Sequence, residues 1–306
     1  MRSLALLVAL AALVALPFAT TGYVVYLANL LLTFTVICLG MHLVLGEAGQ
    51  FSLAQAAFYG IGIYTSGLSG AAFGWPFPCS VLAAGLVAAV VGLLIGVLAL
   101  RMRDIYLALA TFAFGEALQW VLMDWTSVTG GPNALHIAPA RLFGLQLLTD
   151  KQAYPAVLVI AILMLGLAIL LSRSRLGRAF RAVRESEVAA MAMGVPVKST
   201  KLIAFALSAF FAGVGGGMFA LYSTYIHPDS LGFQTTILVL TMVVVGGLGS
   251  IVVGGAIVFG LISELLRQTP SYQEVIYGLI LIVFMMFAPK GLFAFLGESF
   301  GRLRRA

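Results

Sequence analysis

The chain has 306 residues, of which 62% are apolar and 9% charged, against roughly 25% charged residues in a soluble globular domain. Charge this sparse cannot cover a water-facing surface, so the outer surface must face lipid, in keeping with a mean hydropathy of +1.10. The formal net charge of +6 does not indicate a nucleic-acid partner, because the basic residues sit between apolar runs, where a membrane protein keeps its cytoplasmic loops.

A bilayer core of about 30 Å takes about 20 apolar residues to cross as a helix. On that scale the sequence predicts spans at roughly 3–19, 23–45, 51–72, 80–100, 105–123, 155–172, 202–225, 232–249, 251–266 and 275–288. The expected fold is an all-α integral membrane protein of about ten transmembrane helices, within a range of 8–11, forming a single domain over 1–306. The first span follows Arg2 and lacks a small-x-small cleavage site, so it is read as a retained helix rather than a signal peptide. The third span and the region 246–260 are Gly-rich and are candidates for broken or re-entrant segments.

Orientation follows from lysine and arginine. With the N-terminus inside and the chain alternating, 14 of the 17 fall in inside segments, and only Arg141, Lys151 and Arg267 fall outside. This predicts an even number of spans with both termini cytoplasmic. An outside loop, 124–154, carries the turn signal Thr129-Gly130-Gly131-Pro132-Asn133. An inside loop, 173–201, carries most of the cytoplasmic charge.

Glycine is abundant, at 34 residues. Helices in a membrane associate by close packing across small residues, and Gly60, Gly62 and Gly67 in one span and Gly213, Gly215, Gly216 and Gly217 in another fit that role. An offset of 153 aligns Gly60-Ile61-Gly62 with Gly213-Val214-Gly215, either a duplicated half or a chance match. The stretch Gly247-Leu248-Gly249-Ser250-Ile251-Val252 fails the dinucleotide-binding pattern at its last position and reads as a tight turn or close helix contact.

No catalytic constellation is visible. His42, His136 and His227 are far apart, and Cys38 and Cys79 form no metal-ligand or disulfide pattern. Ionisable groups inside a membrane are costly and therefore default to functional candidates. Glu116, near the middle of its span, either faces a water-filled path or is held protonated or hydrogen-bonded within the bundle. His42 reads as an interior, hydrogen-bonded histidine, and Glu264 as a local partner of Arg267. The polar stretch from Gly46 to Gln55 is either an ordinary turn or a hinge into a helix whose Gln50, Ser52 and Gln55 line a pore, since broken helices recur at transporter sites.

The inside loop has the clearest organisation. Arg173 to Arg184 form a basic helical stretch with Leu176, Phe180 and Val183 on one face. Ser186 is a good N-cap, Glu187 suits a helix start, Gly194 is a natural stop and Pro196 blocks continuation. This predicts a separate helix of about two turns, too short to be stable alone in water, which must dock on its own bundle or on a partner.

Six segments together resemble one family: GEAGQFSLAQAAFYGIGIY (46–64), TGGPNAL (129–135), SRLGRAFRAVRESEVAAMAMGVP (174–196), KLIAFALSAFFAGVGGG (201–217), MVVVGGLGS (242–250) and APKGLFAF (288–295). Over about Leu45 to Leu296 the chain is similar to the permease subunits of ABC importers for branched-chain amino acids and related small molecules, on the LivM-like side of the pair. The resemblance implies a multi-pass permease of the bacterial inner membrane that is not itself an enzyme. It implies a second related permease subunit, two cytoplasmic ATPase subunits that use the ATP, and a periplasmic substrate-binding protein, with no cofactor in this chain.

The short capped helix then becomes a coupling helix docking on an ATPase, with Arg184, Glu185, Glu187, Ala189, Ala190 and Gly194 as its candidate residues. Glu187 and Gly194 are seven apart rather than the six of the wider importer pattern, with Val188 intervening, and Ala134 stands where the family often has glycine. Gln50, Ser52, Gln55 and Glu116 are the candidates for a polar substrate path, and no metal site is expected. The alternative, a stand-alone secondary transporter or channel, would need intramembrane ionisable groups for ion coupling, of which Glu116 is the only central one.

Overall fold

In lipid every backbone N–H and C=O must find its partner inside the protein, so apolar runs become helices. The computed structural model of the chain describes residues 13–17, 20–102, 104–131, 135–136, 141–142, 145–147, 149–247, 256, 258, 260, 262 and 270–287. In chain order its helices are α1 (Gly22–Met41), α2 (Gln55–Phe73), α3 (Phe77–Ala99), α4 (Asp104–Asp124), α5 (Asp150–Arg173), α6 (Arg175–Glu185), α7 (Glu187–Ala192), α8 (Val197–Tyr222), α9 (Phe233–Gly246) and α10 (Pro270–Phe287). Two small antiparallel pairs lie between helices: β1 (Leu135–His136) with β4 (Tyr225–Ile226), and β2 (Arg141–Leu142) with β3 (Leu145–Gln146). Among the described residues five helices are long and apolar enough to cross a membrane: α1 with its extension to Glu47, α3, α4, α5 and α8. The protein is an all-helical, multi-pass membrane protein.

The centre of the bundle is α8, which packs most extensively on α3, then on α2 and α1. Its glycines make that possible. Gly213 lies against α3, where an added Cβ would sit 2.6 Å from the Ala84 carbonyl oxygen. At Gly215 it would sit 2.6 Å from Ile37 Cγ1 on α1, and at Gly216 2.7 Å from the Ile63 nitrogen on α2. Three neighbouring positions thus open three faces of one helix to close approach. Two hydrogen bonds tighten the same core: Gln55 Nε2 donates to the Ile37 carbonyl at 3.1 Å, and Ser208 Oγ donates to Gln55 Oε1 at 3.1 Å.

Several boundaries differ from the sequence expectation. The third span begins at Gln55 rather than near 51, because Gly49 adopts φ +67° and residues 48–54 are not helical. The sixth begins at Asp150 rather than at Pro155, because Thr149 takes the N-cap position and Asp150 the first turn. There Asn29 Nδ2 donates to the Asp150 carbonyl at 3.2 Å, and Lys151 Nζ donates to the Thr20 carbonyl at 3.0 Å. The eighth element ends at Gly246, where Gly247 turns at φ +101°. The spans expected at 3–19 and 251–266 fall largely outside the described residues, as do Glu264, Arg267 and the 288–295 segment.

The turn expected at Thr129–Gly131 is present. Thr129 Oγ1 donates to the Leu122 carbonyl at 2.6 Å and accepts from the Gly131 amide at 3.2 Å, while Gly130 and Gly131 both take positive φ. Pro132 to Ala134 lie outside the described residues.

Candidate functional site

The first candidate region is the join between α1 and α2. At its C-terminal end α1 widens into one π-helical turn, His42–Glu47, a form rare enough to mark functional sites. The chain then runs without a helical ladder through Ala48–Ala54. A helix start leaves its first amides unpaired, and here hydroxyls from other helices supply the acceptors. The Leu53 amide donates to Thr111 Oγ1 on α4 at 2.9 Å, and the Ala56 amide donates to Thr236 Oγ1 on α9 at 3.2 Å. Helix α2 therefore begins inside the bundle, against a residue two turns into α4. Sequence reasoning passed over Thr111 and Thr236. Thr111 offered a signal as the lone threonine of its apolar span, whereas Thr236 is one of three threonines in α9 and does not stand out.

The four polar residues proposed for a path divide into two groups. Gln55 is buried and both ends of its amide are bonded within the bundle, so it joins α1 to α8. Ser52 is buried and accepts from the Ala54 amide at 3.4 Å. Gln50 differs: it is 5% exposed, and neither Nε2 nor Oε1 has a hydrogen-bond partner. It lies in the wall of a cavity of about 850 Å³ also lined by Phe51, Leu53, Met102, Phe112 and Phe233, and by Glu187, Val188 and Lys201. Glu116 lines a narrow adjoining crevice that shares Leu53, Phe112 and Phe233 with the cavity. A buried amide with neither end bonded is rare in a folded protein. Such a group in an apolar-walled cavity is equipped to bind a small polar solute.

His42 is interior, but its environment departs from expectation. Its Nε2 lies 3.9 Å from Glu47 Oε1, beyond hydrogen-bond reach, and its buried Nδ1 has no partner. Glu47 instead accepts from Ser172 Oγ and, at 2.7 Å, from Arg181 Nη1.

The second region is the hairpin α6–α7. Ser174 caps α6 by accepting from the Leu176 and Gly177 amides, at 3.1 and 3.5 Å. Gly177, Phe180 and Val183 form its buried face. Ser186 caps α7 as expected, accepting from the Ala189 amide at 3.3 Å. The other end is a Schellman motif: the Gly194 amide donates to the Met191 carbonyl at 3.0 Å and the Val195 amide to the Ala190 carbonyl at 2.9 Å, with Gly194 at φ +79°. Replacing Ser186 with alanine is expected to cost α7 about 1 kcal/mol. Amide exchange in residues 187–192 should then speed up about fivefold, with α8 unchanged.

The candidate coupling residues do not share one face. Ala190 is buried against Val183 and Val197, and Glu187 binds Lys201 of α8 at 2.5 Å. Arg184 turns inward, its Nη1 donating to the Gly46 carbonyl. Glu185, Ala189 and Gly194 are exposed. The outward apolar side chains are Val188, Met191 and Met193, at 74%, 56% and 83% exposure. None of these three is among the candidates singled out from the sequence. Among the described residues no cluster of His, Cys, Asp or Glu is arranged to hold a metal ion.

Residues 23–285 match the model of a family described as the branched-chain amino acid transport system / permease component. The chain is 33% identical over 305 residues to the high-affinity branched-chain amino acid transport system permease protein LivM of Escherichia coli K12, covering 91% of this chain and 72% of the relative. It is 27% identical over 287 residues to the LivH permease protein of the same strain, covering 85% and 91%. Identity is 30% over 201 residues to the L-arabinose transport system permease protein AraH of that strain, covering 61% and 58%. No solved structure matches the chain.

Proposed function

Because the chain belongs to the family of permease components of branched-chain amino acid transport systems, we propose that it is one of two permease subunits of an ATP-binding cassette importer. The importer sits in the bacterial inner membrane and carries branched-chain amino acids or related small polar molecules. A LivH-like chain is the second permease. Two cytoplasmic ATPases supply the energy, and a periplasmic binding protein delivers the substrate. The chain crosses the membrane about ten times with both termini cytoplasmic, which places α6 and α7 on the ATPase side and the 124–154 loop on the periplasmic side.

The observation that carries this reading is α7. It is a two-turn helix capped at both ends, anchored inward by Ala190 and the Glu187–Lys201 pair, that presents Met191, and Met193 at its C-cap, outward. Two turns are stable only when docked, and the inward contacts leave the outward face for a partner. An energy source acts on a transporter through contacts that differ between its two states, and this face is where an ATPase would make them.

The test is reconstitution. The chain should co-purify with the second permease and two ATPases, and uptake should require ATP and the binding protein. Uptake by the chain alone, driven by an ion gradient and indifferent to ATP, would instead establish the secondary-transporter reading, for which Glu116 is the available central carboxylate. Identifying the ligand that the cognate binding protein retains would settle the substrate class among leucine-type, urea, amide and aromatic solutes.

Gln50 is the path residue with free hydrogen-bonding capacity. A hydrogen bond to a charged group contributes about 1.5–3 kcal/mol. Gln50→Leu is therefore expected to lower transport at limiting substrate by about ten- to a hundredfold, with subunit assembly intact. Unchanged uptake kinetics in that variant would remove Gln50 from the path.

A further inference from the structure

The segment carrying Gln50 has little structure of its own. After the π turn its local backbone bonds are the Ala48 amide to the Leu43 carbonyl and the Gln50 amide to the Val44 carbonyl. Its position is set by what grips it, and the grip comes from the cytoplasmic helix α6. Glu47, 8% exposed, is held by Ser172 at the end of α5 and by Arg181 of α6. Arg181 also reaches the Ser172 carbonyl at 3.1 Å. Three residues further along, Arg184 donates to the Gly46 carbonyl, and its stem lies so close to Gly49 that a Cβ there would sit 2.7 Å from Arg184 Cγ. Just before Arg181, Phe180 is fully buried against Ala48 and Ala204. An ion pair, a carbonyl bond and an apolar plug therefore hold residues 46–49 on one helix.

The two ends of this grip lead in different directions. Helix α6 runs into α7 with the single residue Ser186 between them. Gly49 runs directly into Gln50. We propose that Glu47, Arg181 and Arg184 are positioning residues that clamp the α6–α7 hairpin and the 46–50 turn into one lever, so that displacement of α7 moves Gln50 in the substrate cavity. This rests on the reading of α7 as the ATPase-facing element. The glycine at 49 is part of the device, because its φ of +67° turns the chain and its missing side chain admits Arg184.

The test uses the complete importer in proteoliposomes, with substrate transported per ATP hydrolysed as the readout. Glu47→Gln and Arg184→Ala are expected to leave subunit co-purification intact and ATP hydrolysis within about twofold, while substrate per ATP falls at least tenfold. Glu47→Asp, which keeps the charge, should recover most of the ratio.

Loss of assembly in the clamp variants, an equal fall in hydrolysis and transport, or an unchanged amount of substrate per ATP would each overturn the lever. Failure of the unsubstituted complex to form, or uptake that needs no ATP, would instead overturn the importer reading before any variant is compared.

Discussion

Gly216→Val is expected to destabilise the fold severely. The position lies where α8 crosses α2, facing the Tyr59 carbonyl oxygen, with the Ile63 nitrogen 2.7 Å and the Gly62 carbonyl carbon 3.0 Å from an added Cβ. These are backbone atoms, so no rotamer change relieves the contact and the helices themselves must separate. Separation also opens the neighbouring contact of Gly62 with Gly213, where a Cβ on Gly62 would sit 2.6 Å from Gly213 Cα. Overpacking in a rigid core costs about 1–3 kcal/mol and more where backbone must move, and membrane helices have little besides close packing to hold them together. At least ~3 kcal/mol is expected, a large part of the ~5–15 kcal/mol typical of a folded protein. The measurement is the yield of monodisperse protein in detergent and its thermal midpoint. Gly166→Ala on α5 is the control: nothing lies within 4 Å of its Cβ position, so the substitution should be neutral or raise the midpoint through better helix propensity. If Gly216→Val is as stable as that control, the close α2–α8 crossing is wrong.

This contrast also shows how far the sequence could be read. Apolar run length located the bodies of α1, α3, α4, α5 and α8, with the starts of α5 and α8 five residues earlier than expected, because the hydrocarbon thickness sets how much chain must be helical. The α6–α7 hairpin was legible in more detail, down to Ser186 as N-cap and Gly194 as the left-handed stop, because caps are local chemistry written in adjacent residues. Where α2 begins was not legible. Its start depends on Thr111 and Thr236, which lie 58 and 180 residues away from the amides they accept. Gln55 looked like a pore residue by sequence and is a bundle tie in the structure. A polar side chain in a membrane helix serves equally to bind solute or to join helices, and only its partners decide which. The glycines carried a similar ambiguity: Gly213, Gly215 and Gly216 pack α8 against three different helices, while Gly166 and Gly278 on other spans meet nothing.

The same distinction between inward and outward residues governs the second large effect. On the proposed importer reading, Met191→Asp is expected to uncouple the permease from the partner ATPases while leaving its own fold intact. Met191 is 56% exposed, and so makes little contribution to the chain's own stability. A surface substitution of that kind changes stability by about 0.5 kcal/mol or less. At a docking face the arithmetic differs. An apolar anchor in a protein interface contributes about 2 kcal/mol or more, and burying an unpaired carboxylate there adds several kcal/mol of desolvation. ATPase retention on the purified permease should fall by about a hundredfold or more, and ATP-driven uptake with it, while the thermal midpoint of the isolated chain stays within a few degrees. Ala190→Asp gives the opposite pattern. Ala190 is 3% exposed against Val183 and Val197, so a charge there is expected to dislodge α7 from α6 and α8 and to raise amide exchange throughout residues 186–197. Loss of ATPase binding in that variant would follow from a broken hairpin rather than a lost contact. The comparison therefore separates the face that docks from the face that holds the docking element in place. If Met191→Asp retains its ATPases, the outward face of α7 is not the coupling surface.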